Sequence, residues 1–218
     1  GFFTSTICKT QMTAFFITGT DTGVGKTYVT CKLIAEYVAQ GYKVIGMKPV
    51  AAGCELVDGT WVDEDVLKLE AASNVQAPRE LTNPYSFNEA IAPHIAAEKA
   101  GIEIDIKVIQ QAFKELVDMA DIVIVEGAGG FLVPLNASET IADLAAVLNI
   151  PIMLVVGMKL GCISHSLLTV EAIKSRHLQL HGWVANQIEP NMQMLEENEA
   201  SLAARIKQPK LFSLGYLS

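Results

Sequence analysis

The feature of this sequence that most constrains its fold is a repeated alternation of short apolar runs with helical patterns. The apolar runs are continuous rather than interleaved with polar residues, which is typical of strands buried on both faces of a sheet. They are AFFITG (14–19), KVIGMKPV (43–50), DIVIVEGAGG (121–130), PIMLVVG (151–157) and GWVANQI (182–188). Strand and helix in regular alternation predict an α/β fold, with a mostly parallel central sheet and helices on both faces.

Helical patterns fill the segments between these strands. After the first strand, Leu33, Ile34, Tyr37 and Val38 share one helical face, and Gly41 is a suitable end for that helix. Further helices are predicted at 63–72, 105–120, 140–149, 162–176 and 192–207, and a short apolar tail closes the chain. Because the chain is 50% hydrophobic but only 7% aromatic, we expect a core built mostly from Ala, Val, Ile and Leu.

We expect one folded domain over residues 12–218. A chain of 218 residues can form one large α/β domain or two very small ones, and no repeat or low-complexity linker divides it. Residues 1–11 (GFFTSTICKTQ) precede Met12 and carry neither a signal-peptide charge pattern nor a small-residue cleavage site. We expect them to be a disordered tag or extension outside the fold.

Five polar or glycine-rich loops each follow a predicted strand. They are residues 19–27, 48–54, 126–130, 157–164 and 186–190. In open α/β sheets, ligands bind at the carboxyl ends of the strands. The sequence therefore predicts one functional site at this edge of the sheet.

The first of these loops, TGTDTGVGKT (18–27), is close to a phosphate-binding loop. In the general pattern GxxxxGK[ST], backbone N–H groups surround the phosphates, the lysine neutralises them and the hydroxyl joins Mg²⁺. Here five residues rather than four separate Gly19 from Gly25, and Lys26 and Thr27 follow at the start of a predicted helix. The remaining alternative is a chance glycine turn before a helix. The context favours a P-loop NTPase-like domain.

Charge and cysteine usage narrow the choice of partners. A net charge of −8 repels nucleic acid and anionic lipid, so we expect neither as a partner. No apolar stretch approaches the roughly 20 residues needed to span a bilayer. The four cysteines lie far apart with no metal-ligand spacing, which favours free thiols in a reducing cytoplasm.

The full string GTDTGVGKT (19–27) resembles the dethiobiotin synthetase family, which catalyses the penultimate step of biotin biosynthesis. The likeness covers roughly residues 14 to 190 and stays in register. It continues through GMKPVAAG (46–53), VDEDVLKL (62–69), NPYSF (83–87), APHIAAE (92–98), VEGAGGFLVPL (125–135), VVGMKLGCISH (155–165) and GWVAN (182–186).

This resemblance implies an ATP-dependent cyclo-ligase with Mg²⁺ as cofactor and ATP as co-substrate. The implied reaction joins 7,8-diaminopelargonic acid and CO₂ into dethiobiotin through an N-carbamate and a carbamic-phosphoric anhydride. The resemblance also implies a homodimer whose active site is shared, with residues 159–164 reaching the substrate from the partner chain.

The family's functional residues map onto matching positions here. For catalysis they are Lys48, Lys26 and Thr22. For nucleotide binding they are Gly23, Val24, Gly25, Lys26, Thr27, Tyr28 and Asn186, and for the metal Thr27, Asp65 and Glu126. For the substrate they are Thr22, Lys48, Ala52, Glu126, Gly127, Ala128, Gly129, Gly130, Gly161, Cys162, Ile163 and Ser164.

Three positions depart from the family pattern. Ala52 stands where a hydroxyl residue is frequent, Ser164 stands where Asn is frequent, and the tail PKLFSLGYLS lacks the usual glycine-x-Ile-Pro stretch beside the base. Nucleotide selectivity is the property that the missing stretch would affect.

Two alternative functions stay open at this point. One is a dimeric switch ATPase of the partition or division type, but the extra lysine of its KGGxGK[ST] loop would fall on Asp21, an acid. The other is a carboxylate-activating ATPase like the synthetase part of a cobyrinate amidase, which would normally need an additional glutaminase domain.

Overall fold

The computed structural model describes residues 13–216, which form strands and helices in alternation. Within this part of the chain the strands are β1 (Thr13–Gly19), β2 (Val44–Met47), β3 (Val50–Ala52), β4 (Glu55–Val57), β5 (Thr60–Val62), β6 (Tyr85–Phe87), β7 (Ile122–Gly130), β8 (Ile152–Met158), β9 (Leu180–Gln187) and β10 (Lys210–Leu214). The helices are α1 (Lys26–Ala39), α2 (Glu64–Ala72), α3 (Arg79–Thr82), α4 (Pro93–Ala100), α5 (Ile106–Met119), α6 (Ile141–Leu148), α7 (Cys162–Ser175) and α8 (Leu195–Arg205). The predicted extension, residues 1–11, lies outside the described residues.

The central sheet has six strands in the order β10-β9-β8-β1-β7-β2. Every neighbouring pair in it is parallel, and β1 lies in the middle, with Phe16 opposite Val125 on β7 and Ile152 on β8. The predicted α/β fold with a mostly parallel sheet is therefore confirmed.

Helices cover both faces of this sheet. On one face α5 buries Ile109 and Leu116, within a core cluster that includes Phe16 and Trp183. On the other face α1 buries Val29 and other apolar side chains against β1 and β7. Because burying one such side chain stabilises the fold by about 1.5–3 kcal/mol, the two layers hold the strands in register.

The sheet differs from the sequence prediction at two places. The predicted second strand, 43–50, is two strands, because Pro49 has no N–H to donate and the N–H of Lys48 donates to the carbonyl of Thr82 at 2.9 Å. The tail forms a sixth strand, β10, that pairs with β9 at the edge of the sheet. Only Phe212 of β10 is fully buried, so the segment has little of the apolar pattern that marks the inner strands.

Two further properties follow from the described residues. No helix between residues 13 and 216 is long and apolar enough to cross a membrane. Cys31, Cys54 and Cys162 are free thiols, and Cys8 lies outside the described part of the chain.

Candidate active site

The predicted functional edge of the sheet contains one large open cleft. Its volume is about 1180 Å³, and it lies at the carboxyl ends of β1, β2 and β7. Most of the predicted site residues line it: Thr22, Gly23, Gly25, Lys26, Thr27, Tyr28, Lys48, Ala52, Asp65, Glu126, Gly127, Ala128 and Gly129. The structure thus brings together residues from four separate segments of the chain.

The phosphate loop connects β1 to α1 and ends at Gly25. Gly25 is the N-cap of α1 with φ +85°, a left-handed conformation that glycine adopts without strain. No side chain caps this helix, so the backbone N–H groups of its first turn are open to the cleft. A helix start of this kind is suited to binding an anion such as phosphate.

Lys26 is a buried cation at the floor of this loop. Its Nζ lies 3.4 Å from the carbonyl oxygen of Asp21. Burial lowers the pKa of Lys26, and the charge of Glu126 opposes that shift only in part. An anion in the loop would compensate for the lost hydration of this ammonium group.

Thr27 and Glu126 form the centre of the metal site predicted from the family. The hydroxyl of Thr27 donates to Oε1 of Glu126 at 2.7 Å, and it also lies beside Asp65. Oε2 of Glu126 is buried and has no hydrogen-bond partner among the described residues. Burial raises the pKa of Glu126, because the charged form has lost its hydration. Such a carboxylate has a free buried ligand atom for a cation.

These oxygen atoms fit Mg²⁺ better than a softer metal. The donors are a hydroxyl and two carboxylates, which are the hard ligands that Mg²⁺ prefers. No cluster of three or more His, Cys, Asp or Glu side chains suited to a metal occurs within residues 13–216. The protein would therefore supply only part of an octahedral shell, which is usual where phosphates and water complete it.

Lys48 follows β2 and lies among three carboxylates. Its Nζ is 2.6 Å from Oδ2 of Asp65, 3.3 Å from Oδ1 of Asp63 and 3.7 Å from Oε1 of Glu126. Burial acts against its charged form, but the charges of Glu126 and Asp65 outweigh burial and raise the pKa of Lys48. Lys48 is therefore a permanent cation at neutral pH, fixed at the cleft.

Asp63 is a residue of this site that the sequence analysis did not identify. It is the N-cap of α2, where its Oδ1 accepts a hydrogen bond from the N–H of Val66 at 3.1 Å. The sequence signal for it was its position at the start of a predicted helix, which indicates a cap but not a contact with a distant lysine.

Two predicted substrate positions lie on other walls of the cleft. The glycine-rich end of β7 lines the cleft through residues 127–129 and lies close to the phosphate loop, since a Cβ on Gly129 would lie 3.4 Å from Oγ1 of Thr22. Gly130 does not line the cleft and pairs with Gly19 of β1. Ala52 lines the opposite side, together with Ala90 and Ile91. Ala52 offers no hydroxyl to a substrate, as the sequence indicated.

Two other predicted elements lie beside the nucleotide loop rather than in the cleft. Nδ2 of Asn186, at the end of β9, donates to the carbonyl of Val24 at 2.8 Å, so this amide lies directly behind the phosphate loop. Leu214 of β10 is in register with Asn186. The carboxyl end of the atypical tail thus lies next to Asn186, which is predicted to bind the nucleotide.

The segment predicted to reach the substrate from the partner chain, residues 159–164, does not line this cleft within the described chain. It begins α7, and Gly161, with φ +95°, is its N-cap. The preceding Leu160 is 93% exposed, and Nζ of Lys159 lies 3.0 Å from Oδ2 of Asp21. The segment therefore contacts the phosphate loop through Lys159 but contributes no residue to the lining of its own chain's cleft.

Sequence comparison decides the family. Residues 13–217 match a protein family described as an AAA domain. The chain is 55% identical to the ATP-dependent dethiobiotin synthetase BioD of Nitrosospira multiformis over 93% of its own length and 88% of the relative's length. The chain belongs to the ATP-dependent dethiobiotin synthetase family. A second member, the BioD protein of Aromatoleum aromaticum, is 50% identical over 93% of this chain and 90% of that one.

The fold of this dethiobiotin synthetase family member is shared more widely. The septum site-determining protein MinD of Pyrococcus horikoshii, complexed with Mg-ADP, superposes with a TM-score of 0.58 over 94% of this chain and 82% of that one. The two sequences are only 16% identical, so the likeness concerns the P-loop fold alone.

Proposed function

We propose that this protein is the ATP- and Mg²⁺-dependent ligase that converts 7,8-diaminopelargonic acid and CO₂ into dethiobiotin, with ADP and phosphate as the other products. One observation carries this proposal. Two buried cations, Lys26 and Lys48, and the hydroxyl–carboxylate pair Thr27–Glu126 lie around one cleft at the end of a phosphate loop. The arrangement suits an ATP phosphate meeting a second anion, and the family membership names the reaction.

The second anion is a carbamate, formed when one amine of the substrate adds to CO₂. Its oxygen is a poor leaving group, so a phosphoryl group is transferred to it from ATP to give the carbamic-phosphoric anhydride. The second amine then attacks the carbonyl carbon, phosphate leaves and the cyclic urea closes. The protein contributes positions and charges rather than covalent bonds, as in other phosphoryl transfers.

The phosphate loop holds the nucleotide in this proposal. The open N–H groups at the start of α1, with Gly23, Val24, Gly25 and Tyr28 around them, bind the phosphates, and Lys26 neutralises the β- and γ-phosphates. Asn186 reads the adenine, since an amide can both donate and accept. Thr27, Asp65 and Glu126 would hold Mg²⁺, which supplies charge neutralisation at the phosphates when bound.

Lys48 holds the reacting end of the substrate. Its ammonium lies where carbamate and γ-phosphate would meet, and a cation there offsets the repulsion between two anions. Thr22 and the backbone N–H groups of residues 127–130 contact the carbamate and the amines. Ala52 contributes only packing, so a substrate hydrogen bond that other members make would be absent at this position.

The proposal includes a homodimer in which residues 161–164 of the partner chain bind the substrate carboxylate. No side chain caps the start of α7, Gly161 and Ser164 are exposed, and residues 161–164 do not line the cleft of their own chain, although the N–H of Cys162 is already bonded to the carbonyl of Lys159. A carboxylate at a partly buried helix start is stabilised by up to ~2 kcal/mol, which corresponds to tens of fold in the substrate KM.

A subunit-mixing experiment tests this shared site. We expect Lys48→Gln and Gly161→Trp chains, each inactive alone, to regain activity when mixed, because each heterodimer contains one site with neither defect. The measurement is dethiobiotin formation after exchange of subunits, with heterodimer formation checked by native mass spectrometry.

A matched control combines Lys48→Gln with Lys26→Gln. Both defects lie on the same side of the site, so heterodimers contain no intact site and activity should stay absent. Heterodimers of the first pair that remain inactive, or a monomeric protein by light scattering, would contradict the shared site.

Product analysis tests the proposed function as a whole. The protein is incubated with diaminopelargonic acid, bicarbonate, Mg²⁺ and ATP, and a ureido product is sought by mass spectrometry. ATP hydrolysis without that product would instead favour a switch ATPase.

A single domain over residues 12–218 and a cytoplasmic location belong to the same proposal. The location is proposed because the cysteine spacing suits free thiols.

A further inference from the structure

Asp63 is held beside Lys48 by a second structural role. Its side chain is only 12% exposed, and Oδ1 lies 3.3 Å from Nζ of Lys48. The same oxygen accepts the N–H of Val66 and caps α2. Because the cap ties this carboxylate to the helix start, Asp63 cannot follow Lys48 or a ligand as a free side chain could.

The other two carboxylates near Lys48 bind the metal in the proposed function. Asp65 and Glu126 are the proposed metal ligands, and both now point an oxygen at Lys48. A carboxylate that binds a cation has less charge to offer a neighbouring ammonium group. Of the three, only Asp63 then remains a full partner for Lys48.

Hydrogen bonds fix the backbone of Lys48, so the position of its ammonium group depends on the contacts of the side chain. The N–H of Lys48 donates to Thr82, and Nδ2 of Asn83 donates to the carbonyl of Lys48 at 2.7 Å. A lysine side chain, by contrast, is a point charge on a flexible four-carbon stem. Without a fixed carboxylate, its ammonium could follow Asp65 and Glu126 towards the metal side.

We propose that Asp63 is a positioning residue, which keeps the ammonium of Lys48 at the carbamate while Asp65 and Glu126 serve the metal. This inference rests on the proposed function. It assigns different cations to two acidic residues at the start of α2: Asp63 holds the ammonium of Lys48, and Asp65 binds the metal. In this role Asp63 lines the cleft and acts on the reaction through Lys48.

Asp63→Asn separates the charge from the cap. Asparagine caps helices about as well as aspartate, so α2 and the melting temperature should be unchanged. We expect kcat to fall by about tenfold or more, since a small misplacement of a reacting group costs up to about 100-fold. The KM for ATP should stay within about twofold, because the phosphate loop is untouched. Asp63→Ala should lower both kcat and the melting temperature.

Glu64→Gln is the matched control for the loss of one charge. Glu64 is adjacent to Asp63, but its side chain is 81% exposed and pairs with Lys68. Its replacement should leave kcat unchanged. A fall in kcat of equal size in Glu64→Gln would assign the effect to general charge at this helix start and overturn the positioning role.

A crystal structure with Mg²⁺ and a non-hydrolysable ATP analogue gives a readout that does not depend on turnover. We expect Nζ of Lys48 to bond Asp63 in the wild-type complex and to leave that position in Asp63→Asn. Full kcat in Asp63→Asn, or a complex in which Lys48 has left Asp63, overturns the inference. If the wild-type protein forms no dethiobiotin at all, the proposed function itself is wrong. That result differs from those that contradict only the positioning role of Asp63.

Discussion

Replacing Lys48 with glutamine is expected to lower the kcat for dethiobiotin formation by about 100-fold or more. Glutamine keeps most of the length and removes the charge that would lie between carbamate and γ-phosphate. The KM for ATP should change little, because Lys48 lies beyond the phosphate loop. Lys26→Gln should lower turnover to a similar extent and also weaken ATP binding, since Lys26 belongs to that loop.

Lys68→Gln provides the control for this pair. Lys68 also lines the cleft, but it is exposed and pairs with Glu64 at 2.8 Å. Its replacement should leave kcat unchanged. Steady-state kinetics and calorimetric titration with ATP measure both effects, and near-normal turnover in Lys48→Gln would remove Lys48 from the mechanism.

Gly25→Ala is expected to weaken ATP binding by about 100-fold or more. A methyl group at φ +85° is strained by roughly 1–2 kcal/mol. The methyl group would also overlap Nδ2 of Asn186 and displace it from the carbonyl of Val24. Leaving this buried amide and carbonyl unpaired costs roughly a further 1–3 kcal/mol. Because the loop of the variant relaxes away from this conformation, ATP must restore it on binding, and about 1.4 kcal/mol of that cost corresponds to a tenfold change in Kd.

Gly23→Ala separates the two contributions. Gly23 is also left-handed, with φ +73°, but a Cβ there would meet nothing within 4 Å. This variant therefore carries the backbone strain alone and should weaken ATP binding by about tenfold at most. Calorimetry gives the Kd of both variants, and equal losses would show that contact with Asn186 is unimportant.

The inner part of the fold could be predicted from the sequence because its signal is local. β8 is buried at every position from Ile152 to Met158, and a continuous apolar run of that kind admits few alternatives. β10 gave no comparable signal, since an edge strand with one buried residue looks like a tail. The break between β2 and β3 depends on a hydrogen bond from Lys48 to Thr82, which lies 34 residues later in the chain. The periodicity of a local segment gives no information about such a distant contact.

The candidate site divides in a similar way. The spacing of Gly25, Lys26 and Thr27 identifies a phosphate loop without any relative. Asp65 looks like one of several acids at a helix start, and it became a proposed metal ligand only through the family resemblance. Neither the residue spacing nor the family resemblance predicts a role for Asp63. Its contact with Lys48 joins a helix cap to the end of a strand, and the two residues meet only in the folded structure.

The most direct test of the central claim is the fate of carbon from bicarbonate. The protein is supplied with ¹³C-bicarbonate, diaminopelargonic acid, Mg²⁺ and ATP, and the product is examined by mass spectrometry and ¹³C NMR, with ADP measured in parallel. The proposed function predicts dethiobiotin labelled at the ureido carbon, with one ADP formed per product. Hydrolysis of ATP with no labelled ureido carbon would contradict it.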